Sequence, residues 1–293
     1  LDIIIMGCDI MTTKIIVDSA CDLPDKIIKE YDIVELPFNI HIDDNSYLDG
    51  ISIETSDVYS VLKNDKYPKT SQVSPRFFRE TFTEYAKEGI NIIFISFSAK
   101  LSGAYQTGRL VAQEVNNKYP EVKIDVIDSK SGSVATGIIV YKAAQMLADG
   151  IGHDKVTDKI HYWIDHIEHF FILDDLKTLQ QGGRISKTKS FIGNMLNIKP
   201  VLQVKNGNIE LLKKVRGTKR ALNTLVQLLQ DKSYDLKEQL IGIAHADDLK
   251  KAENLKEKVQ SLGGEIFCVE LISSVLGAHL GIGGIGIFFL NEA

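Results

Sequence analysis

Two short segments carry hydroxyl groups where an α/β chain would bind an anion. Lys69-Thr70-Ser71-Gln72-Val73-Ser74-Pro75 stands just before a predicted helix whose first turn holds Pro75, and Ser98-Ala99-Lys100-Leu101-Ser102-Gly103 stands where a predicted buried strand gives way to a helix. Ser74 occupies the position at which a serine oxygen accepts a backbone N–H and caps a helix. Thr70 and Ser71 lie too early to cap, which leaves them free to face a ligand. Ser102, beside Gly103 at the start of its helix, serves equally as a cap or as a ligand contact. Ligands in open α/β sheets settle outside the carboxyl ends of strands, and helix N-termini present unpaired N–H groups to anions. Hydroxyls and a helix dipole can hold a carboxylate through charge-assisted hydrogen bonds of about 1.5–3 kcal/mol each, with no metal.

Other candidate groups are weighed against structural roles. Gly281 to Gly286 spell GxGxxG, but a dinucleotide fingerprint must follow the first strand of a βαβ unit and open a helix, and here the chain ends seven residues later. These glycines are expected to let backbone approach a ligand or the other lobe, with His279 as a donor beside them. Arg184, Arg216 and Arg220 are the local basic features; a solvated face is the default for the run Lys213 to Arg220, and a docking patch is the sharper alternative. His161, Asp165 and His169 would share one face of a continuous helix, yet lack further ligands for a metal site. HExxH, GxxxxGK[ST] and GxSxG are absent, which removes the common zinc protease, P-loop and α/β-hydrolase readings. A serine acyl hydrolase using Ser102 and His279 is the rival to a binding protein, although no orienting acid is identifiable.

Short β-branched runs alternate with longer helical stretches from Lys14 onward, so βαβ units and a parallel sheet are expected. Residues 14–19, 33–40, 91–97 and 122–128 read as strands. Residues 55–64, 75–88, 102–118, 133–149 and 153–166 read as helices. Later the pattern changes: Asn206-Gly207 between two extended segments signals a hairpin, so the second half should hold a mixed sheet. The chain has 293 residues, enough for two cores. The expected organisation is therefore an N-terminal α/β lobe over 11–167 with a parallel sheet and a C-terminal α/β lobe over 168–293 with a mixed sheet. A ligand pocket lies between them, and 1–10 form an upstream extension or cloning remnant.

Composition is that of an ordinary globular protein, 44% hydrophobic and 25% charged, and the net charge of −5 gives no global attraction to nucleic acid or anionic lipid. Three cysteines, Cys8, Cys21 and Cys268, lack CxxC spacing and suit a reducing cytoplasm. No apolar run reaches the roughly 20 residues a bilayer span needs.

Taken in order, the blocks resemble the DegV family, whose better-understood members are fatty-acid-binding subunits of bacterial fatty acid kinase. Val17-Asp18-Ser19-Ala20-Cys21-Asp22-Leu23-Pro24 is similar to the family's opening DSxxDLP, Thr70-Ser71-Gln72 to its TSQ, and Leu101 to Gln106 to its LSGTYQ, with Ala104 in place of Thr. Asp175-Leu176 through Gly183-Arg184-Ile185, Lys199-Pro200-Val201-Leu202, Lys214-Val215-Arg216 and Ala278-His279-Leu280-Gly281 follow the later blocks. The resemblance implies a non-catalytic protein with no cofactor, holding one long-chain fatty acid. In it Thr70 and Ser102 bond the carboxylate, with Ser71, Ser98, Gly103 and His279 close by. It further implies a partner kinase that phosphorylates the carboxylate, with Arg184, Arg216 and Arg220 as docking candidates, a cytoplasmic location and at most transient membrane contact. Where the family often has paired serines this chain has Ser98-Ala99, one hydroxyl fewer. Burying about fifteen methylenes at roughly 0.8 kcal/mol each would supply on the order of 12 kcal/mol before ordering costs.

Overall fold

The structure, a computed structural model, describes residues 12–174, 176–185 and 197–292. The expected lobe start at Met11, the extension 1–10, and Asp175 and Ser186 lie outside the described residues. The first half runs β1 (Thr13–Asp18), α1 (Asp25–Glu30), β2 (Val34–Leu36), β3 (Asn39–Ile42), β4 (Asn45–Leu48), α2 (Thr55–Lys63), β5 (Lys69–Ser71), α3 (Pro75–Lys87), β6 (Asn91–Ser96), α4 (Ala104–Asn116), β7 (Ile124–Asp128), α5 (Val134–Ala148) and α6 (His153–His166). The second continues β8 (Ile167–Ile172), α7 (Lys177–Gln181), β9 (Ile198–Lys205), β10 (Asn208–Arg216), α8 (Thr218–Lys232), β11 (Ile241–His245), α9 (Leu249–Gln260), β12 (Ile266–Leu271), α10 (Ser274–Leu280) and β13 (Ile285–Leu290).

β2, β1, β6 and β7 form a parallel sheet in that order. β6 is buried at every residue because helices cover both faces, so its sequence NIIFIS shows no polar alternation. On one face Phe94 packs edge-on against Phe78 of α3, with ring centroids 5.0 Å apart. The second lobe is the expected mixed sheet, ordered β10-β9-β8-β13-β11-β12, in which β11 and β12 are the parallel pair. Its β9–β10 hairpin turns at Asn206 and Gly207, both at positive φ (49° and 80°), the backbone that this dipeptide favours. α5 is apolar nearly all round and touches β1 of one sheet and β8, β11 and β13 of the other, so one core is continuous between the lobes. Among the described residues no helix is long and apolar enough to cross a membrane.

Two expectations change. The run 33–40 is not one strand: Pro37, which has no N–H to donate, separates β2 from β3, and β3 leaves for a small antiparallel sheet ordered β4-β3-β5. α10, a buried helix, is an addition rather than a change: Gly281, at φ 77°, ends it, and the GxGxxG stretch leads into a strand, in keeping with its rejection as a dinucleotide fingerprint. The continuous helical face proposed for His161, Asp165 and His169 ends at His166. His169 lies on β8 and turns inward, while Asp165 pairs with Lys130 at 3.0 Å.

Candidate functional site

The two hydroxyl segments meet because Gln72 packs against the start of α4. An added Cβ at Gly103 would overlap the Gln72 amide oxygen, so a larger residue there would have to push the end of the Gln72 side chain aside. Gln72 then donates from Nε2 to Thr107 Oγ1 at 2.6 Å, tying the end of β5 to α4. Thr70, Ser71, Gln72, Ser102 and Gly103 consequently line one chamber, with Arg184 and His279 contributed from the second lobe.

Thr70 Oγ1 lies 2.7 Å from His279 Nε2. Burial, and secondarily the Arg184 guanidinium, push the His279 pKa down to about 4, so the imidazole is neutral near pH 7. Positive charge in the chamber therefore comes from Arg184. Its Nε donates to Leu101 O at 3.2 Å and its Nη1 to Gly182 O at 2.6 Å, which leaves the rest of the five N–H donors of a guanidinium for an anion. Ser102 Oγ accepts the Ala104 N–H at 3.2 Å from one residue before the Gly103 N-cap of α4, and Ser102 also lines the chamber. Ser74 accepts the Arg76 N–H and caps α3.

The remaining candidates are placed differently. Ser98 is fully buried, and its hydroxyl donates to Gly207 O at 2.8 Å, pinning the tip of the β9–β10 hairpin instead of lining the chamber. Ser71 Oγ lies 2.9 Å from His41 Nε2 on the neighbouring strand. Arg184, expected on a docking surface, lines the chamber, whereas Arg216 at the end of β10 and Arg220 in the first turn of α8 are exposed. His279 meets Thr70 rather than Ser102, and its Nδ1 has no partner among the described residues, so an oriented Ser102–His279 nucleophile pair is not assembled.

The polar chamber continues into an apolar one through a set of side chains that line both. Phe97, Leu101, Ile209, Leu276 and Leu280 line both and form the waist between them. Phe171, Leu173, Phe288 and the Gly284 to Gly286 backbone close the far end. On its other side the polar chamber shares Thr70, Arg184 and His279 with a surface cleft bordered by Tyr67, Lys69 and Gln181. The arrangement suits an elongated molecule with an acidic head near the surface and an apolar remainder inside.

Sequence reasoning missed the carboxylates that hold this shape. Asp18 accepts the Phe97 N–H at 2.8 Å and fixes the strand end that leads to the waist. Asp22 accepts the Ser273 N–H at 3.0 Å and the Ser133 hydroxyl at 2.5 Å, so the first lobe grips the start of α10, the helix that carries Leu276 and His279. Burial raises both carboxyl pKa values to about 7 against these hydrogen bonds. Neither lines the two chambers. Their spacing in the opening motif was the available signal, but nothing local says which backbone N–H groups they meet.

Comparisons with known proteins match the family and the fold. The family model described as "Uncharacterised protein, DegV family" matches residues 12–292. A DegV domain-containing protein of Clostridium perfringens is 37% identical over 286 residues, spanning 95% of this chain and 97% of that protein. A stearic-acid-binding protein from Eubacterium ventriosum has a similar structure, with TM-score 0.88 and 26% identity over 95% of this chain and 98% of its own. A fatty-acid-binding DegV family protein from Streptococcus agalactiae has TM-score 0.86 and 30% identity, covering 97% of this chain and 100% of its own. Matched along nearly its whole length, this chain belongs to the DegV family.

Proposed function

We propose that this chain is a cytoplasmic, non-catalytic carrier that binds one long-chain fatty acid and presents its carboxylate to a partner fatty acid kinase for acyl-phosphate formation. The observation that carries the reading is the paired chamber: neutral hydroxyls, a neutral imidazole and one guanidinium at the end nearer the surface, and an almost wholly apolar wall at the other. The tail supplies affinity, and the head-group donors set which end faces out. The fatty acids bound by the relatives from Eubacterium ventriosum and Streptococcus agalactiae support it.

Denaturing the purified protein and identifying released lipid by mass spectrometry tests the ligand class; one equivalent of a long-chain acid is expected. Thr70→Ala combined with Ser102→Ala should weaken fatty acid retention about tenfold or more with the fold intact, since two hydrogen bonds to a charged group are lost. Unchanged affinity in a fluorescent displacement assay would reject those two assignments.

Exposed Arg216 and Arg220, beside Lys213 and Lys219, offer a basic face to an acidic partner surface, and contacts of this kind act mainly on association rate. Arg216→Ala should lower kinase turnover severalfold while leaving fatty acid affinity as it was. Equal turnover by variant and parent removes Arg216 from the docking face.

A further inference from the structure

One stretch of the chamber wall is held more loosely than the rest. β8 and β13, which close the far end, are each paired on both edges, and α10 is gripped by Asp22 through the Ser273 N–H. The β9–β10 hairpin is different. β8 pairs with β9 only from Val201 to Gln203, and β10 is the edge of the sheet, so from Val204 to Ile209 two strands project with no third beside them. A hairpin standing alone is marginally stable in water. Val204 and Ile209 are cross-strand partners, and both line the apolar chamber, Ile209 at its waist. The hydrophobic cluster against which they pack, around Phe171, Leu173 and Leu202, is a small one separate from the core that α5 joins.

At the root of the projection the β9–β10 ladder slips by one residue at Leu212, which is left 39% exposed. A bulge of this kind interrupts pairing and lets the strand bend. At the tip a single side-chain hydrogen bond ties the hairpin to the first lobe, the Ser98 hydroxyl donating to Gly207 O at 2.8 Å. The approach is close: a Cβ added to Gly207 would come within 2.6 Å of Ser98 Oγ. The Ser98 carbonyl in turn accepts the N–H groups of Leu101, at the waist, and Ser102, in the polar chamber, at 3.0 and 3.1 Å. The tie therefore sits in the same turn that lines the path of a ligand.

We infer that the tip of the β9–β10 hairpin is a lid over the tail chamber, hinged at the Leu212 bulge and latched by Ser98, and that its opening admits and releases the chain of the ligand. This rests on the fatty-acid reading given above. A latch that closes equally over an empty and a filled chamber sets the rates of exchange and not the affinity. In the full-length protein Ser98→Ala should speed both uptake and release of a fluorescent long-chain fatty acid about three- to tenfold, the worth of one neutral hydrogen bond, and leave Kd within about twofold of wild type. A second variant adds Lys100→Cys and Gly207→Cys to Ser98→Ala, which removes the hydroxyl that a Cβ at 207 would overlap. That Cβ stands 3.6 Å from Lys100 Cβ, inside the range of about 3.5–4.5 Å that a disulfide spans. Oxidised, this variant should lose exchange of the bound acid; reduced with dithiothreitol, it should regain the rate of Ser98→Ala. Release from Ser98→Ala at the wild-type rate, or equal release by the oxidised and reduced forms, overturns the inference, and the first of these decides it alone if the cysteine variant fails to fold or to form the bond. Faster release with unchanged uptake also overturns it, since Ser98 would then support only the bound state. In each of these cases binding of the fluorescent acid by the wild type leaves the fatty-acid reading standing; failure of the wild type to bind it rejects that reading, and the lid with it.

Discussion

Arg184→Met should weaken binding of an eighteen-carbon acid by about ten- to a hundredfold and leave binding of the matching alcohol nearly unchanged. The charge-assisted bonds a guanidinium offers a carboxylate are worth about 1.5–3 kcal/mol, and about 1.4 kcal/mol is a factor of ten. No other cation lines the chamber among the described residues, and His279 is neutral near pH 7 because burial and Arg184 itself hold its pKa at about 4. An alcohol carries no charge, so its loss should be confined to whatever packing the arginine stem provides. Arg184 also donates to Leu101 O and Gly182 O, so a purely structural role would weaken acid and alcohol in parallel. Parallel titrations of stearate and stearyl alcohol separate the two, and equal losses would remove Arg184 from head-group recognition.

Leu276→Trp should act on the other end of the ligand and by a larger factor. Leu276 sits on α10 at the waist shared by the two chambers, where a larger ring would bar the way to the apolar end. Excluding about five methylenes at roughly 0.8 kcal/mol each would lower affinity for a long chain by about a thousandfold. The sharper readout is the dependence on chain length. Affinity of the parent should climb with each added pair of carbons, whereas that of the variant should level off early. An unaltered slope would mean that the chain does not pass Leu276. Overpacking by a tryptophan costs typically about 1–3 kcal/mol of stability, so melting temperatures belong beside the titrations.

The two predictions depend on different kinds of information. The parallel and mixed sheets, the helices flanking them, the Asn206-Gly207 hairpin and the hydroxyls at 70 and 102 were legible from the chain itself. Each is written in neighbouring residues: β-branched runs against helical periodicity, a dipeptide suited to positive φ, hydroxyls standing just ahead of a helix. The separation of β3 from β2 was also local in cause, since Pro37 interrupts the ladder, but a short polar strand such as β4 leaves little hydrophobic pattern to read.

What the tertiary structure alone decided is which distant groups share a space. Thr70 and His279 are 209 positions apart, and Ser98 and Gly207 are 109 apart. Hydroxyls and imidazoles look alike in a sequence whether they face a ligand or a carbonyl, and Ser98 and Thr70 ended on opposite sides of that choice. Arg184 moved from an expected docking face into the chamber, and His169 from an expected helix face into its apolar wall, for the same reason. Periodicity tells a residue which side of its own element is buried; what lies across from it is set by how the two sheets pack around α5, a relation no local stretch of chain encodes.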